Sequence, residues 1–200
     1  KSGAEVVLME QAARISVEGH RAAMQAACAG MHEYELQAEL ERVFRANDAC
    51  PAYSSIVGAG RNGCILHYRD NNARSRDGDL VLIDAGAEYR GYASDITRTF
   101  PVNGRFSAEQ RALHDLVGAA QAAALAQARP GLPYEAGHLA AVQVLTEGLL
   151  RLGLLKGTLE ANLAGEQYKR FYPHKTGHWI GLDVHDVGDY RLAGDSRLLE

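Results

Sequence analysis

The sequence has few cysteines and no long apolar segment, and both shortages narrow the classes of protein that it can encode. Its three cysteines, Cys28, Cys50 and Cys64, form no C-x-x-C pair, which argues against a disulfide framework and against a thiolate zinc site. Each is expected to be a small buried apolar residue. No apolar run is long enough to span a bilayer and no secretory signal is recognisable, so a cytoplasmic location is expected.

An excess of charge of one sign is also lacking. Lys and Arg number 21 and Asp and Glu 25, which gives a formal net charge of −4. This mild acidity provides no basic surface for nucleic acid or for an anionic membrane, and neither partner is expected. With 46% hydrophobic and 23% charged residues among 200, the composition is that of an ordinary globular protein and predicts one domain over residues 1–200.

Apolar residues at helical spacing predict four helices. The first follows a capping box at Ser2–Glu5, the second starts near His32, the third follows a capping box at Ser107–Gln110, and the fourth runs from Pro133 to about Gly153. The residues predicted to face the core are Val6, Met9, Ala13, Val17, Met24 and Ala27 on the first helix, Leu36, Leu40, Val43 and Phe44 on the second, and Leu139, Val142, Leu145, Leu149 and Leu152 on the fourth.

Strands are predicted between these helices, which indicates an α+β domain. The continuous apolar run Leu80–Ile83 is expected to be buried on both faces of a sheet. The polar stretch 69–79 is expected to be a loop. The other predicted strands are 52–57, 65–68 and 92–100, with two more near Phe171 and Ile180.

Two aspartates, Asp84 and Asp95, flank a predicted hairpin. With Tyr89 and Arg90 at its tip, the two carboxylates lie directly opposite each other on one face, with Cβ atoms roughly 4.5–5.5 Å apart. Like charges at that separation repel, and burial increases the cost unless a proton or a cation compensates. One or two divalent metal ions suit carboxylate oxygens. The spacing therefore favours a metal site over one aspartate capping a turn and the other lying on the surface.

Three of the eight histidines, His174, His178 and His185, cluster late in the chain. A helix could place His174 and His178 on one metal ion, but Pro173 and Gly177 argue against a helix, and no H-E-x-x-H glutamate is present. A glycine-jointed loop and strand that presents neutral imidazoles to a carboxylate site is favoured instead. A hydrogen-bonded core or surface role is favoured for His20, His32, His114 and His138, and spacing alone leaves the role of His67 open.

Several motifs resemble the pita-bread metallopeptidases, peptidase family M24, and within them the Xaa-Pro aminopeptidase (aminopeptidase P) subgroup. The motifs are Ile83-Asp84-Ala-Gly, Gly91-Tyr-Ala-Ser-Asp95-Ile-Thr-Arg-Thr-Phe-Pro, Gly177-His178-Trp-Ile-Gly-Leu-Asp-Val-His185-Asp, Asn62-Gly-Cys-Ile-Leu-His67-Tyr68 and the opening helix. The resemblance implies the pita-bread (creatinase/aminopeptidase) fold, a curved antiparallel sheet covered by helices. It also implies that residues 1–200 are part of the catalytic domain, truncated at the C-terminus, with the N-terminal domain and the last metal-ligand strands outside this chain.

The resemblance further implies a site for two divalent metal ions, usually Mn²⁺ in this subgroup. Asp84, Asp95 and His178 would be three of its five ligands, with Asp95 bridging both ions. The remaining two ligands are glutamates that the resemblance places beyond this chain, and Glu200 is not counted among them. The chain alone is therefore expected to hold metal poorly. Thr97, on the same strand face as Asp95, is expected to donate a supporting hydrogen bond.

The same resemblance implies that His67 and His185 line the substrate pocket and stabilise the transition state, with His174 as a further pocket candidate. The implied reaction is hydrolysis of the bond between an N-terminal residue and a following proline (Xaa-Pro-Yaa) by a hydroxide shared between the two ions. The expected partners are therefore peptides with proline in second position, and the full-length protein is expected to be a homo-oligomer.

Other functions remain open at the level of the sequence. A prolidase cutting Xaa-Pro dipeptides, or a methionine aminopeptidase, would use the same chemistry on a different substrate. A non-catalytic member of the fold would bind peptide or protein, and creatine amidinohydrolase shares the fold without metals. Fold alone does not choose among these functions, but the presence of Asp84, Asp95 and His178 together argues against the last two.

Overall fold

A computed structural model describes all 200 residues of the chain. The chain contains five α-helices and eight short strands. They form two compact units, unit 1 with residues 1–107 and 179–187, and unit 2 with residues 108–178 and 188–200. The helices are α1 (Gly3–Ala26), α2 (Glu33–Ala46), α3 (Ala108–Leu125), α4 (Ala136–Arg151) and α5 (Leu159–Ala164). The strands are β1 (Cys50–Pro51), β2 (Ile56–Ala59), β3 (Leu80–Ala85), β4 (Ala87–Tyr89), β5 (Tyr92–Ala93), β6 (Ile96–Pro101), β7 (Arg191–Leu192) and β8 (Asp195–Ser196).

Helix α1 begins where the capping box predicts, but it buries a different face. The Glu5 carboxylate accepts a 2.6 Å hydrogen bond from the Ser2 N–H, and the Ser2 hydroxyl accepts from the Glu5 N–H. The buried residues are Ala12, Ile15, Ser16, Gly19, His20 and Ala23, whereas Val6 and Val17 are exposed. The predicted inward positions of Val6 and Val17 are wrong, whereas Met9, Ala13, Met24 and Ala27 are half-buried. The buried face needs small residues for close approach, since a Cβ on Gly19 would lie 2.8 Å from the Phe44 ring.

Helix α2 matches its prediction and carries the centre of the core of unit 1. Leu36, Leu40 and Phe44 are fully buried, and so is the unpredicted Glu33. These apolar side chains pack with residues of the strands, so the sheets of unit 1 are covered by helices α1 and α2. The buried members of this core are Ile15, Ala23, Leu36, Leu40, Phe44, Ala49, Val57, Ala59, Val81, Ile83, Ala85, Ala87 and Val102.

Two three-stranded antiparallel sheets form the rest of unit 1, in the orders β2-β3-β6 and β1-β4-β5. The hairpin between β4 and β5 turns at Arg90 and Gly91, which both have positive φ (51° and 84°), and Tyr89 pairs with Tyr92. The predicted tip at Tyr89 and Arg90 is therefore wrong by one residue. Two consecutive left-handed residues close a tight hairpin, and Gly91 adopts that conformation without steric cost.

Several short predicted strands are absent from the structure. Residues 65–68 form a turn that follows a 3₁₀ helix at Gly60–Cys64, and a 3₁₀ helix at Gln167–Arg170 precedes Phe171. Ile180 lies in no strand. These predictions are wrong because β-propensity depends on a neighbouring strand, and none pairs with these residues. Strand β3 alternates between buried and half-buried residues instead of burying both faces, whereas stretch 69–79 lacks strands, as predicted.

Unit 2 is built on the packing of α3 against α4. Leu116, Leu149 and Leu155 form its buried cluster. Leu139 and Leu152, which were expected to face inward, are exposed. Small residues take inward positions on α4 instead, since a side chain on Gly148 would collide with Leu116.

The structure bears on the burial of the cysteines and on the presence of membrane-spanning helices. Cys28 and Cys64 are exposed and Cys50 is half-buried, so the expectation of buried cysteines is wrong. Among the helices, none combines the length and the apolar character needed to cross a membrane.

Candidate metal centre

The two aspartates predicted to bind metal lie on adjoining segments of unit 1. Asp84 belongs to β3, and Asp95 lies in the short gap between β5 and β6. Asp84 pairs with Thr97 across the sheet, so Asp95 is its diagonal neighbour, and the predicted direct pairing of the two aspartates is wrong. Asp84 pairs two residues beyond Asp95 because the hairpin tip lies one residue later than predicted.

An interruption of the strands shapes the backbone at Asp95. Ser94 and Asp95 leave the ladder opposite Gly86. A side chain on Gly86 would overlap the Ser94 carbonyl oxygen. The Gly86 carbonyl instead accepts a 2.8 Å hydrogen bond from the Ala52 N–H, which brings the segment before β2 alongside. Only glycine allows this close approach of two backbones.

The side chain brought in by that segment is Tyr53, and its hydroxyl joins the two carboxylates. The Tyr53 hydroxyl lies 2.6 Å from Asp84 Oδ1 and 2.8 Å from Asp95 Oδ1. A phenol has one proton to donate, so it cannot serve both carboxylates fully. Sequence reasoning missed Tyr53, because only the pairing of β2 with β3, which sets Ile56 opposite Asp84, places it there.

The electrostatics of this cluster are dominated by burial and by the closeness of the two carboxylates. Burial is the main cause that raises the pKa of Asp84 above its ordinary value, and repulsion from Asp95 adds to it. Hydrogen bonds from Tyr53 and Thr97 oppose that rise. Burial and the two carboxylates together raise the pKa of Tyr53. Thr97 was expected to donate a hydrogen bond that supports the site, and the carboxylate that accepts it is that of Asp84.

Helix α1 fixes the backbone behind both aspartates with polar side chains. The Ala87 N–H donates to Ser16 Oγ (2.7 Å), Ser16 Oγ lies 2.7 Å from Ser94 Oγ, and the Ser94 hydroxyl donates to the Ala87 carbonyl (2.8 Å). His20 Nε2 lies 3.0 Å from the carbonyl oxygen of Ala85, the residue after Asp84. Burial lowers the pKa of His20, and its predicted role as a hydrogen-bonded core histidine is confirmed.

The two predicted pocket histidines of unit 1 lie on irregular segments. His67 is exposed in a turn, with φ of 56°. His185 is exposed within residues 179–187, which are anchored by a 2.8 Å hydrogen bond from the Ala93 N–H to the Gly181 carbonyl. An ion pair of 2.9 Å between Lys1 and Asp186 holds the same segment and lowers the pKa of Asp186.

The remaining two predicted histidines belong to unit 2. His174 is exposed and its Nδ1 lies 2.9 Å from the Lys175 carbonyl oxygen, and His178 is half-buried. No group of three or more His, Cys, Asp and Glu side chains converges in a way that could hold a metal ion. Asp84 and Asp95 are thus the two predicted ligands that the structure brings together, and the other site residues stay predictions.

The chemistry of this pair fits a divalent cation. Two carboxylates share one hydroxyl donor, and burial disfavours the charged form of Asp84. A hard or borderline divalent ion compensates both charges and accepts carboxylate oxygens as ligands. Tyr53, Asp84 and Asp95 are all half-buried, so the cluster is partly accessible to solvent.

Sequence comparison assigns the family. The sequence profile described as Metallopeptidase family M24 matches residues 7–200. The chain belongs to metallopeptidase family M24. Membership of this family implies divalent metal ions.

Relatives of known name agree with this assignment. The Xaa-Pro aminopeptidase of Escherichia coli (strain K12) is 45% identical over 201 residues, which cover 100% of this chain and 45% of that protein. The Xaa-Pro aminopeptidase of Haemophilus influenzae is 47% identical over 191 residues, which cover 95% of this chain and 44% of that protein. The chain therefore spans about half the length of the curated relatives that it matches.

Solved structures match the fold of the chain throughout. The structure of Pseudomonas aeruginosa aminopeptidase PepP has a TM-score of 0.99 at 55% identity, covering 100% of this chain and 46% of that one. A zinc-substituted E. coli aminopeptidase P in complex with product has a TM-score of 0.97 at 45% identity, with the same coverage. The predicted α+β pita-bread fold is confirmed by these matches.

Proposed function

We propose that the full-length protein containing this chain is a metal-dependent Xaa-Pro aminopeptidase, with residues 1–200 as part of its catalytic domain. It would hydrolyse the bond between an N-terminal residue and a following proline. The observation that carries the proposal is the Asp84–Asp95 pair joined by Tyr53, in a chain whose relatives bear the name Xaa-Pro aminopeptidase.

The proposed metal ligands in this chain are Asp84, Asp95 and His178, with two divalent ions, Mn²⁺ in the first instance. Asp84 and Asp95 supply negative oxygens that the fold already holds together, and His178 would add a neutral imidazole nitrogen. The chemistry that such ions supply when bound is polarisation of the peptide carbonyl and activation of a water molecule.

The chain's own residues would prepare this site before substrate arrives. Tyr53 and Thr97 orient the carboxylates by hydrogen bonds. Such fixed orientation raises catalysis because the groups do not need to reorganise during the reaction. We propose that His67 and His185 donate hydrogen bonds to the substrate peptide, with His174 as a further pocket residue.

The substrates would be peptides with proline in second position, bound by a homo-oligomer of the full-length protein. The zinc-substituted E. coli relative is in complex with product, so a peptide product in the corresponding site is the expectation for this protein. The identity of the ion is tested together with the reaction, because carboxylates and imidazole accept several divalent metals.

The test is release of the first residue from an Xaa-Pro-Yaa tripeptide by the full-length protein, with and without added Mn²⁺. An Xaa-Pro dipeptide and a Met-Ala-Yaa tripeptide are assayed in parallel. Mn²⁺-dependent cleavage of the Xaa-Pro tripeptide is expected, and it should be lost in Asp95→Ala but kept in Asp77→Ala, an exposed aspartate. Cleavage of the dipeptide alone would move the function to a prolidase. No turnover with any metal would refute catalysis and favour a peptide-binding member of the fold.

A further inference from the structure

A single buried carboxylate holds both arms of the segment that presents His67. We define the His67 loop as residues 60–72, between Ala59 at the end of β2 and Ala73. The loop contains a 3₁₀ helix followed by an exposed turn, and none of its residues belongs to a strand. Such a segment needs anchoring by side chains if it is to hold a histidine in one place.

The anchor is Glu33, the first residue of α2, which is 1% exposed. Its Oε1 accepts hydrogen bonds from the Ala59 N–H (2.7 Å) and from Asn62 Nδ2 (3.0 Å). Its Oε2 accepts from the Tyr68 hydroxyl (2.8 Å) and from the Ala73 N–H (2.9 Å). One oxygen therefore holds the incoming arm of the loop and the other holds the outgoing arm.

Four donors on two oxygens are the full complement of an ionised carboxylate. Burying a charge is costly unless it is satisfied in this way, and position at the start of a helix adds a favourable interaction with the helix dipole. The Glu33 N–H also donates to the Ala73 carbonyl oxygen (3.0 Å). The carboxylate of Glu33 thus ties the two arms of the loop together through a single group.

His67 has a backbone conformation that benefits from such support. Its φ of 56° is unusual for a residue other than glycine, and such a conformation persists only where neighbouring contacts impose it. The next residue, Tyr68, is buried; its hydroxyl donates to the Glu33 carboxylate, and Asn62 Nδ2 lies 3.0 Å from the Tyr68 hydroxyl oxygen. The turn at His67 is therefore clamped from its C-terminal side.

We propose that Glu33 is a positioning residue that sets the place of His67 for the reaction. The proposal rests on the function proposed above, in which His67 contacts the substrate. Glu33 itself touches neither the substrate nor Asp84 and Asp95, and acts through the His67 loop.

Glu33→Gln is the sharpest perturbation because it changes shape little. In either orientation its amide group turns an N–H₂ donor toward two donors, so one arm of the loop is released. The matched control is Glu41→Gln on the same helix. Glu41 Oε1 accepts from Gln37 Nε2 (2.8 Å) and Ser55 Oγ (2.9 Å), but from no group of the His67 loop.

The first measurement is amide hydrogen exchange of the His67 loop in the full-length protein, which does not depend on activity. Exchange of the loop should be about 10- to 100-fold faster in Glu33→Gln, as the loss of a buried hydrogen bond to a charged group predicts. Exchange in Glu41→Gln should match the wild type. Unchanged exchange of the loop in Glu33→Gln would overturn the proposal.

The second measurement is a double-mutant cycle on kcat/KM for the Xaa-Pro-Yaa peptide. Glu33→Gln should lower kcat/KM, but it should add no further loss in a His67→Ala background, because its effect passes through that histidine. Losses that simply multiply would mean that Glu33 only stabilises the fold, and would refute the positioning role. If Glu33→Gln does not fold, Tyr68→Phe replaces it in both measurements, with smaller changes in the same direction.

The two proposals fail in different ways. Faster loop exchange in Glu33→Gln with an inactive wild type would refute the aminopeptidase function and the positioning role with it, leaving Glu33 as the group that holds the loop. An active wild type with unchanged loop exchange in Glu33→Gln would refute the role of Glu33 alone.

Discussion

Replacing Tyr53 by phenylalanine tests whether the Asp84–Asp95 pair is a site that requires positive charge. The hydroxyl lies 2.6 and 2.8 Å from the two carboxylates, and it has only one proton to donate. The loss therefore counts as one hydrogen bond to a charged group, about 1.5–3 kcal/mol. A protein of 150 to 250 residues would lose roughly 3–12 °C in Tm in the metal-free state, and the longer full-length protein would lose less, because its unfolding entropy is larger.

Metal ions should reduce this cost, because a bound cation replaces the hydroxyl as the compensating group. The assay is thermal unfolding of the full-length protein with a chelator and with saturating Mn²⁺. In the loaded protein, Tyr53→Phe should cost about 1 kcal/mol or less. Tyr34→Phe is the matched control, since Tyr34 is 51% exposed on α2 and such surface changes stay within about 0.5 kcal/mol.

The pH dependence of stability in the metal-free protein is a second test of Tyr53→Phe, because the direction of the change with pH can be predicted. The pKa of Asp84 is raised from 3.8 chiefly by burial, so its proton stabilises the fold at acid pH and that stability is lost as pH rises through the raised pKa. Because Tyr53 opposes this rise, Tyr53→Phe should cost least below pH 3.8 and most at neutral pH. An equal cost at all pH values, with and without metal, would refute the proposed charge compensation.

Three further predictions follow from the backbone around the aspartates. Gly86→Ala should destabilise the protein by more than about 3 kcal/mol in urea unfolding, because its methyl group would overlap the Ser94 carbonyl oxygen. The control is Gly118→Ala, which lies in open space on α3 and should stabilise the protein by about 0.5–1 kcal/mol in the same measurement. Ser16→Ala should lower the free energy of unfolding by about 1–3 kcal/mol, since it leaves the buried Ala87 N–H without its acceptor, and should weaken metal binding measured by calorimetry; unchanged binding would contradict the link to Asp95. The pKa of His20 is lowered from 6.5, so stability should fall as pH drops below about 6.5, and His20→Gln should remove that part of the pH dependence in urea titrations.

The start of α1, the second helix and the closeness of the two aspartates could be predicted from local sequence. The Ser2–Glu5 capping box acts over three residues, and the apolar spacing on α2 buries Leu36 and Leu40 as predicted. The metal site inferred from two aspartates around a glycine-containing turn stays a prediction, and the pairing assumed for them was wrong. Their closeness was predictable because a hairpin of this length brings its two ends together in either register.

The inward face of α1 could not be predicted from hydrophobic periodicity. Its buried positions hold Ser16, Gly19 and His20, which serve close packing and hydrogen bonds to strand backbone. Val6 and Val17 are more apolar and yet exposed. A residue's hydrophobicity describes its own preference for burial, whereas the face that is buried depends on which partner comes closest.

The sequence by itself therefore determined the family, the fold class, the main helices and the closeness of the two aspartates, because motifs and periodicity act over short stretches of chain. Only the tertiary structure decided that Tyr53 joins those aspartates and that the buried carboxylate of Glu33 ties both arms of the His67 loop. Each of these contacts joins residues 26 to 42 positions apart. Hydrogen bonds over such separations exist only after the strands have paired and the helices have packed on them, so no local pattern encodes them.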